Sequence, residues 1–247
     1  MTGKNPIINT QDLSHKYNNC LALDNLNLTI YEGEIFGFLG HNGAGKTTTI
    51  NILTTLLGQT SGKATVAGLD TIKESLQVKR QIGYLPENVT FYNNLTAFEN
   101  LAYFARLSGV KNVKEKVAEV LEFLDFTGIE NKKMGEFSKG MRQRIGIAQA
   151  IIHDPKVLFL DEPTSGLDPL GIKNLREIII RLNKEKHITV FINTHLLSEV
   201  AKTCTSIGVL NHGKLIYKDT LEKTLQKFPD EVALEEIYIQ MESQGKV

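Results

Sequence analysis

Gly40-His41-Asn42-Gly43-Ala44-Gly45-Lys46-Thr47 is the stretch on which the fold turns. It has the spacing GxxxxGK[ST], with a strand-like run, Glu34 to Leu39, before it and a helix-like run, residues 46 to 57 (KTTTINILTTLL), after it. In that context the glycines let consecutive backbone amides turn inward on a polyphosphate. The helix start adds unpaired N–H groups and the positive end of its dipole. Gly40, Asn42, Gly43, Ala44 and Gly45 form the cradle; Lys46 is placed to reach the β and γ phosphates, Thr47 to ligate Mg²⁺ and Thr48 to donate to the α phosphate. His41 falls at a variable position of the pattern and receives no role.

A phosphate loop needs a carboxylate for its metal, and Lys156-Val157-Leu158-Phe159-Leu160-Asp161-Glu162 supplies one. Four apolar residues read as a buried strand whose C-terminal end delivers Asp161 where α/β sheets bind ligands. Asp161 is expected to hold Mg²⁺ through water. Glu162, one peptide further on, can face the γ phosphate as general base for an attacking water.

Further out, Ile7 to Leu13, Leu26 to Ile30, Ile188 to Asn193 and Ser206 to Leu210 are strand-sized β-branched or apolar runs. Ile172 to Asn183 has helical spacing. Strands alternating with helices give an α/β core with a parallel sheet. Asn94 to Ala150 has helix periodicity and little strand character, so a helical lobe is inserted. Leu234, Ile237, Tyr238 and Met241 form an apolar helical stripe in an acidic tail. The expectation is one domain: a nucleotide-binding core over about 1–87 and 151–217, a lobe over about 88–150 and a helical tail over about 218–247.

Composition narrows the function. Lys plus Arg number 28 against 28 Asp plus Glu, and the chain is 41% apolar and 23% charged. That excludes a disordered chain and a broadly basic nucleic-acid binder, so no nucleic-acid partner is expected. No apolar run approaches the ~18 residues that span a bilayer. The start, MTGKNPIINTQDL, has neither a signal-peptide nor a transit pattern, which makes the cytoplasm the expected compartment. Cys20 and Cys204 lie far apart without metal-like spacing and read as reduced thiols.

Phe137-Ser138-Lys139-Gly140-Met141-Arg142-Gln143-Arg144, shortly before Leu160-Asp161-Glu162-Pro163-Thr164-Ser165-Gly166-Leu167-Asp168, resembles the signature, Walker B and D-loop order of ATP-binding cassette (ABC) ATPases. His195, in Asn193-Thr194-His195, matches that family's switch histidine. Tyr17 falls where the family stacks an aromatic on adenine. The resemblance runs from about Ile7 to Tyr217 and implies a P-loop NTPase core with a parallel sheet, an N-terminal antiparallel β region and an inserted α-helical lobe. Two motifs depart from the family pattern: the signature LSGGQ is Phe137 to Met141, keeping Ser138 and Gly140, and the Q-loop glutamine is Glu87, whose carboxylate can still bind Mg²⁺ or orient water. Both variants, and the tail Leu234 to Ile239, are similar to cassette subunits serving ABC-2-type exporters.

The resemblance implies ATP hydrolysis by a head-to-tail homodimer, or a heterodimer with another cassette subunit. Ser138 and Gly140 of one copy would cover nucleotide held by the other, and Asp168 would pass between the sites. Opening and closing would drive an integral membrane permease subunit, with this chain peripheral on the inner face of the membrane. A soluble ABC ATPase acting on ribosomes or DNA is the alternative, but single-cassette length and the short stretch from Pro86 to Ser138 favour transport. A P-loop kinase would explain Gly40 to Thr47 but not Ser138, Glu162 and His195 together.

Overall fold

The computed structural model describes residues 5–227. The chain opens with strands β1 (Pro6–Tyr17), β2 (Cys20–Tyr31) and β3 (Ile35–Leu39), then helix α1 (Lys46–Leu53). Strands β4 (Ser61–Val66) and β5 (Leu69–Asp70), helix α2 (Ser75–Gln81) and strand β6 (Ile82–Leu85) follow. The lobe contributes α3 (Ala97–Leu107), α4 (Val113–Phe123) and α5 (Lys139–Ile151). The chain returns through β7 (Val157–Asp161), α6 (Pro169–Lys186), β8 (Thr189–Asn193), α7 (Leu197–Thr203), β9 (Ser206–Asn211), β10 (Lys214–Thr220) and α8 (Leu221–Lys227).

Two sheets face each other. One is antiparallel, in the order β2-β1-β4-β5; the other runs β10-β9-β3-β8-β7-β6 and is parallel except for the hairpin partner β10. Every residue of β3, β7 and β8 is buried, as expected of parallel strands covered on both faces. The strand period divides these continuous apolar runs. Phe36, Phe38, Phe159 and Phe191 point toward the antiparallel sheet, with ring centroids 5.3–6.1 Å apart. Ile35, Leu39, Leu158, Leu160, Val190 and Ile192 point the other way, toward the helices. Truncating any one of those rings to Ala costs about 3–5 kcal/mol, so the parallel strand ends are held on a stiff base.

The lobe is joined to this base at close quarters. A Cβ at Gly83 would lie 2.2 Å from the Ala150 carbonyl, so β6 meets the end of α5 only as glycine. The α3 start is fixed by a capping box between Thr96 and Glu99. Buried Asn100 exchanges hydrogen bonds with the backbone of Tyr92 at 3.0 and 3.2 Å, anchoring the segment that carries Glu87. Lys186 pairs with Glu119 at 2.8 Å and Lys116 with Asp154 at 2.7 Å, tying α4 to the core.

Several expected boundaries move. The helix expected over 46–57 ends at Leu53: Thr54 and Thr55 are β-branched, Thr55 turns left-handed (φ 63°), and the amides of Leu56 and Leu57 fold back on the Asn51 carbonyl. The first two strands extend to Tyr17 and back from Cys20 because they form one hairpin, with Asn18 at φ 48° in its turn. β10 continues to Thr220, past the core limit expected near residue 217. The expected helical stripe at Leu234–Met241 lies outside the described residues.

Candidate functional site

The loop between β3 and α1 has its conformation dictated by glycine. Gly43 and Gly45 have φ of 87° and 107°, which favour glycine, and a Cβ at Gly45 would also lie 2.5 Å from the Ala22 carbonyl. Gly45 is the N-cap of α1 and makes no side-chain cap bond, so the first-turn amides are left without a capping side chain. Lys46 is buried and its Nζ donates to the carbonyls of Gly40 at 2.6 Å and His41 at 3.1 Å. Thus the ammonium lies across the mouth of the loop, held by two main-chain carbonyls.

Opposite stand the ends of β7 and β8. Asp161 is buried and its Oδ1 accepts from Asn193 Nδ2 at 2.5 Å; the two residues are register partners across the sheet. Glu162 leaves the strand in the left-handed region, φ 47°, held there by its N–H donating to the Asn193 carbonyl at 2.9 Å. A non-glycine residue so placed at a strand end aims its side chain away from the strand direction and into the cleft. His195 Nδ1 lies 3.0 Å from the Glu162 carboxylate.

These groups surround one cleft of about 480 Å³, with Asn42, Gly43, Gly45, Lys46, Thr47 and Thr48 on the loop side, and Glu87, Asp161, Glu162 and His195 facing them. Burial pushes the Lys46 ammonium below its ordinary range, against the pull of Glu162 and Asp161. Burial raises the Asp161 carboxyl; Asn193 and Lys46 oppose the shift, while Glu162 and Glu87 add to it. Asp161 is thus a buried carboxyl with two further carboxylates on the same cleft, an arrangement that favours a bound cation. The cleft's oxygen donors, the Thr47 hydroxyl and the carboxylates of Asp161 and Glu87, are the hard type that suits a small divalent ion. Among the described residues no three His, Cys, Asp or Glu form a metal cage, so an ion here would need phosphate or water oxygens to complete its shell.

Gly40 and Ala44 support the loop rather than line the cleft. A Cβ at Gly40 would lie 2.5 Å from the Leu210 carbonyl. Ala44 is fully buried, its amide donates to the His41 carbonyl and its carbonyl accepts from Gly213. Tyr17 is also absent from the cleft wall: it is 45% exposed at the hairpin end, edge-on to His15 at 4.4 Å, and Ala22 of β2 reaches the wall instead.

Ser138, Gly140 and Asp168 line a different cavity, of about 300 Å³, with Leu167 and Leu170 at its side. Ser138 caps α5 by accepting from Met141 N–H at 3.3 Å, and Asp168 caps α6 by accepting from Gly171 N–H at 3.0 Å. Lys139 lies over the Gly166 turn, where an added Cβ would meet its Nζ at 2.5 Å. Gln143, which motif reading passed over, is buried and donates to the Pro163 carbonyl at 2.9 Å, bridging this cavity to the turn after Glu162. Asn193, Ser165 and His41 are further cleft residues that motif reading gave no role. An uncharged Gln between Arg142 and Arg144 was the sequence hint for Gln143; His41 and Ser165 adjoin motifs already read, and Asn193 reaches Asp161 from a strand distant in the chain.

The chain is similar to known proteins of one family. The profile of the family described as ABC transporter matches residues 23–165. The chain is 44% identical over 225 residues to the bacitracin transport ATP-binding protein BcrA of Bacillus licheniformis, covering 90% of this chain and 73% of that protein. It is 40% identical over 204 residues to the ABC transporter ATP-binding protein NatA of Bacillus subtilis strain 168, covering 81% and 82%. Two other relatives are longer, and the chain spans 63% and 58% of them. Among solved structures, an ATP-binding subunit of an ABC transporter superposes with TM-score 0.82 at 29% identity, over 95% of this chain and 99% of that one. A dimeric post-hydrolysis ATP-binding cassette, MJ0796 with ADP and Pi, superposes with TM-score 0.78 at 25% identity, over 87% and 98%.

Proposed function

This chain belongs to the ABC transporter family as an ATP-binding, ATP-hydrolysing subunit, and we propose that two copies close on ATP to drive export through an integral membrane permease subunit. The observation that carries the reading is the separation of Ser138, Gly140 and Asp168 from the Lys46 cleft on a single chain. Two-fold pairing lets the first cavity of each copy cover the cleft of the other, giving two composite sites. A heterodimer with another cassette subunit would satisfy the same geometry.

Within each site the loop amides and Lys46 bind the phosphates, Glu162 orients and deprotonates the attacking water, and His195 contacts the γ phosphate while steadying Glu162. Thr47, Asp161 and Glu87 would hold Mg²⁺, whose chemistry when bound is to neutralise phosphate charge. Loss of the γ phosphate removes the bridge between copies and lets them reopen. No described helix is long and apolar enough to cross a membrane. Membership of the family is what supports assigning the membrane-spanning part to a permease partner, with this chain at the cytoplasmic face. Export is supported by the similarity to the bacitracin transport protein and by the Glu87 and Phe137–Met141 variants.

Glu162→Gln tests the pairing. With ATP it should elute as a dimer on size exclusion and hydrolyse about 1000-fold more slowly than wild type; a variant that binds ATP yet stays monomeric at high concentration would remove the composite site.

A further inference from the structure

Asparagine is disfavoured in strands, yet Asn193 closes β8, between β3 and β7, at 1% exposure. Its register partner on β7 is Asp161. The two side chains share a face with Phe159 and Phe191, two residues earlier on each strand, whose ring centroids lie 5.5 Å apart. The polar pair therefore stands on packed rings.

Asn193 Nδ2 donates to Asp161 Oδ1 at 2.5 Å. An ionised carboxylate only accepts, so the amide nitrogen is the end that faces it. That orientation leaves Asn193 Oδ1 buried without a hydrogen-bond partner among the described residues. Buried polar groups are almost always paired, so an orphaned oxygen kept on the wall of a cleft asks for a reason other than stability. Leucine has nearly the same shape and would leave no such oxygen.

The contact makes the two carboxylate oxygens unequal. Oδ1 is committed to β8, whereas Oδ2 makes no hydrogen bond or ion pair among the described residues and is not sealed from solvent as Asn193 Oδ1 is. Asp161 lines the Lys46 cleft, and Oδ2 is the oxygen that opens on it. The Asp161 backbone does not set this arrangement, because the last torsion of an aspartate is broad and rotation about it exchanges the two oxygens. The Asn193 main-chain carbonyl, which accepts the Glu162 N–H at 2.9 Å, is a separate contact that any residue at 193 keeps.

We infer that Asn193 is a positioning residue for the cation of the cleft: its amide fixes the rotation of the Asp161 carboxylate, so that Oδ2 is held toward the cleft for a divalent ion such as Mg²⁺. This rests on the proposed assignment of Asp161 as a ligand of that ion. Losing an outer contact that orients a metal-binding group costs about 10- to 100-fold in metal affinity. The loss falls on the metal and spares metal-free nucleotide binding, which uses the loop amides and Lys46.

Mn²⁺ is the probe, because electron spin resonance reads its binding without turnover, and ADP is the nucleotide, because it is not consumed. Asn193→Leu keeps the volume and removes the donor; Asn193→Ala removes it with a smaller side chain, should the first fail to fold. In excess EDTA, calorimetry should give the variants an ADP affinity within about twofold of wild type, which also shows that they are folded. With ADP bound, they should hold Mn²⁺ about tenfold more weakly than wild type. Competition from free ADP is common to all the proteins and cancels in that ratio. In wild type, the side-chain nitrogen-15 resonance of Asn193 should move when Mg²⁺ is added to the ADP complex. Mn²⁺ affinity equal to wild type, or an unmoved Asn193 resonance, overturns the inference alone. So does a loss of ADP affinity in EDTA as large as the loss of Mn²⁺ affinity, which would make Asn193 a general support of the cleft. Wild type that binds ADP but no Mn²⁺ overturns it together with the metal assignment.

Discussion

The N-terminus of α1 and those of α5 and α6 are built for opposite purposes. α1 begins at Gly45 without a capping side chain and without an acidic residue in its first turn. α5 and α6 begin at Ser138 and Asp168, whose oxygens are already engaged by Met141 and Gly171. An uncapped helix start surrounded by convergent donors is an anion site on its own chain. Capped starts are stable without a ligand, and their groups are offered outward at an edge. The difference matches the proposed division of labour: one cleft concentrates buried charge and left-handed backbone, as a binding site would, and the other cavity offers already capped groups that would complete it.

The largest expected effect falls on the uncapped site. Lys46→Ala removes the charge-assisted bonds to phosphate and should weaken ATP binding about 100-fold by calorimetry. Unchanged affinity would show that the loop is not the phosphate cradle. Ser138→Ala should leave ADP affinity of the isolated chain within about twofold, because Ser138 is not on that cleft, yet slow steady-state hydrolysis by about 10- to 100-fold. It also deletes the α5 cap, which costs about 1 kcal/mol. An equal loss of ADP affinity would erase the distinction between the two regions.

The smallest effect is on stability. Burial raises the Asp161 carboxyl, so the folded state binds that proton more tightly than the unfolded chain. Stability from this group therefore falls as pH rises from the unfolded toward the folded value, and the full penalty stands above both. Asp161→Asn should raise the melting temperature of the nucleotide-free protein by about 2–4 °C at neutral pH, while hydrolysis is lost. The gap should narrow as pH is lowered through the carboxylate range. A variant less stable than wild type across that range would mean that Asp161 is structurally paired rather than charged for function.

Much of the phosphate side was legible because its residues sit at fixed offsets from strand ends. Lys46 follows the glycines, and Asp161 and Glu162 close an apolar run, so spacing marks each half of the cleft, and the β3-β8-β7 strand order sets the halves face to face. The same logic fails where contacts cross the chain. Asn193 reaches Asp161, Gln143 reaches Pro163 and His41 reaches Asn211 through pairings that periodicity does not encode. Strands with little burial were hidden too. β4 starts with three exposed residues, β5 has two residues, and β10 alternates exposed and half-buried positions, so none presents an apolar run. Tyr17 was placed by resemblance; it is exposed at the hairpin end with its ring edge-on to His15, outside the lining of the Lys46 cleft.

The decisive measurement is complementation between two inactive variants. Lys46→Ala spoils one region and Ser138→Ala the other, so each protein alone should hydrolyse ATP poorly. Mixed under conditions that exchange subunits, they form pairs in which an intact loop from one chain meets an intact Ser138 from the other. Hydrolysis well above the sum of the separate samples is the predicted result. A mixture no more active than its components, with subunit exchange verified by differently tagged chains, would contradict the account by placing both regions on the same nucleotide of one chain.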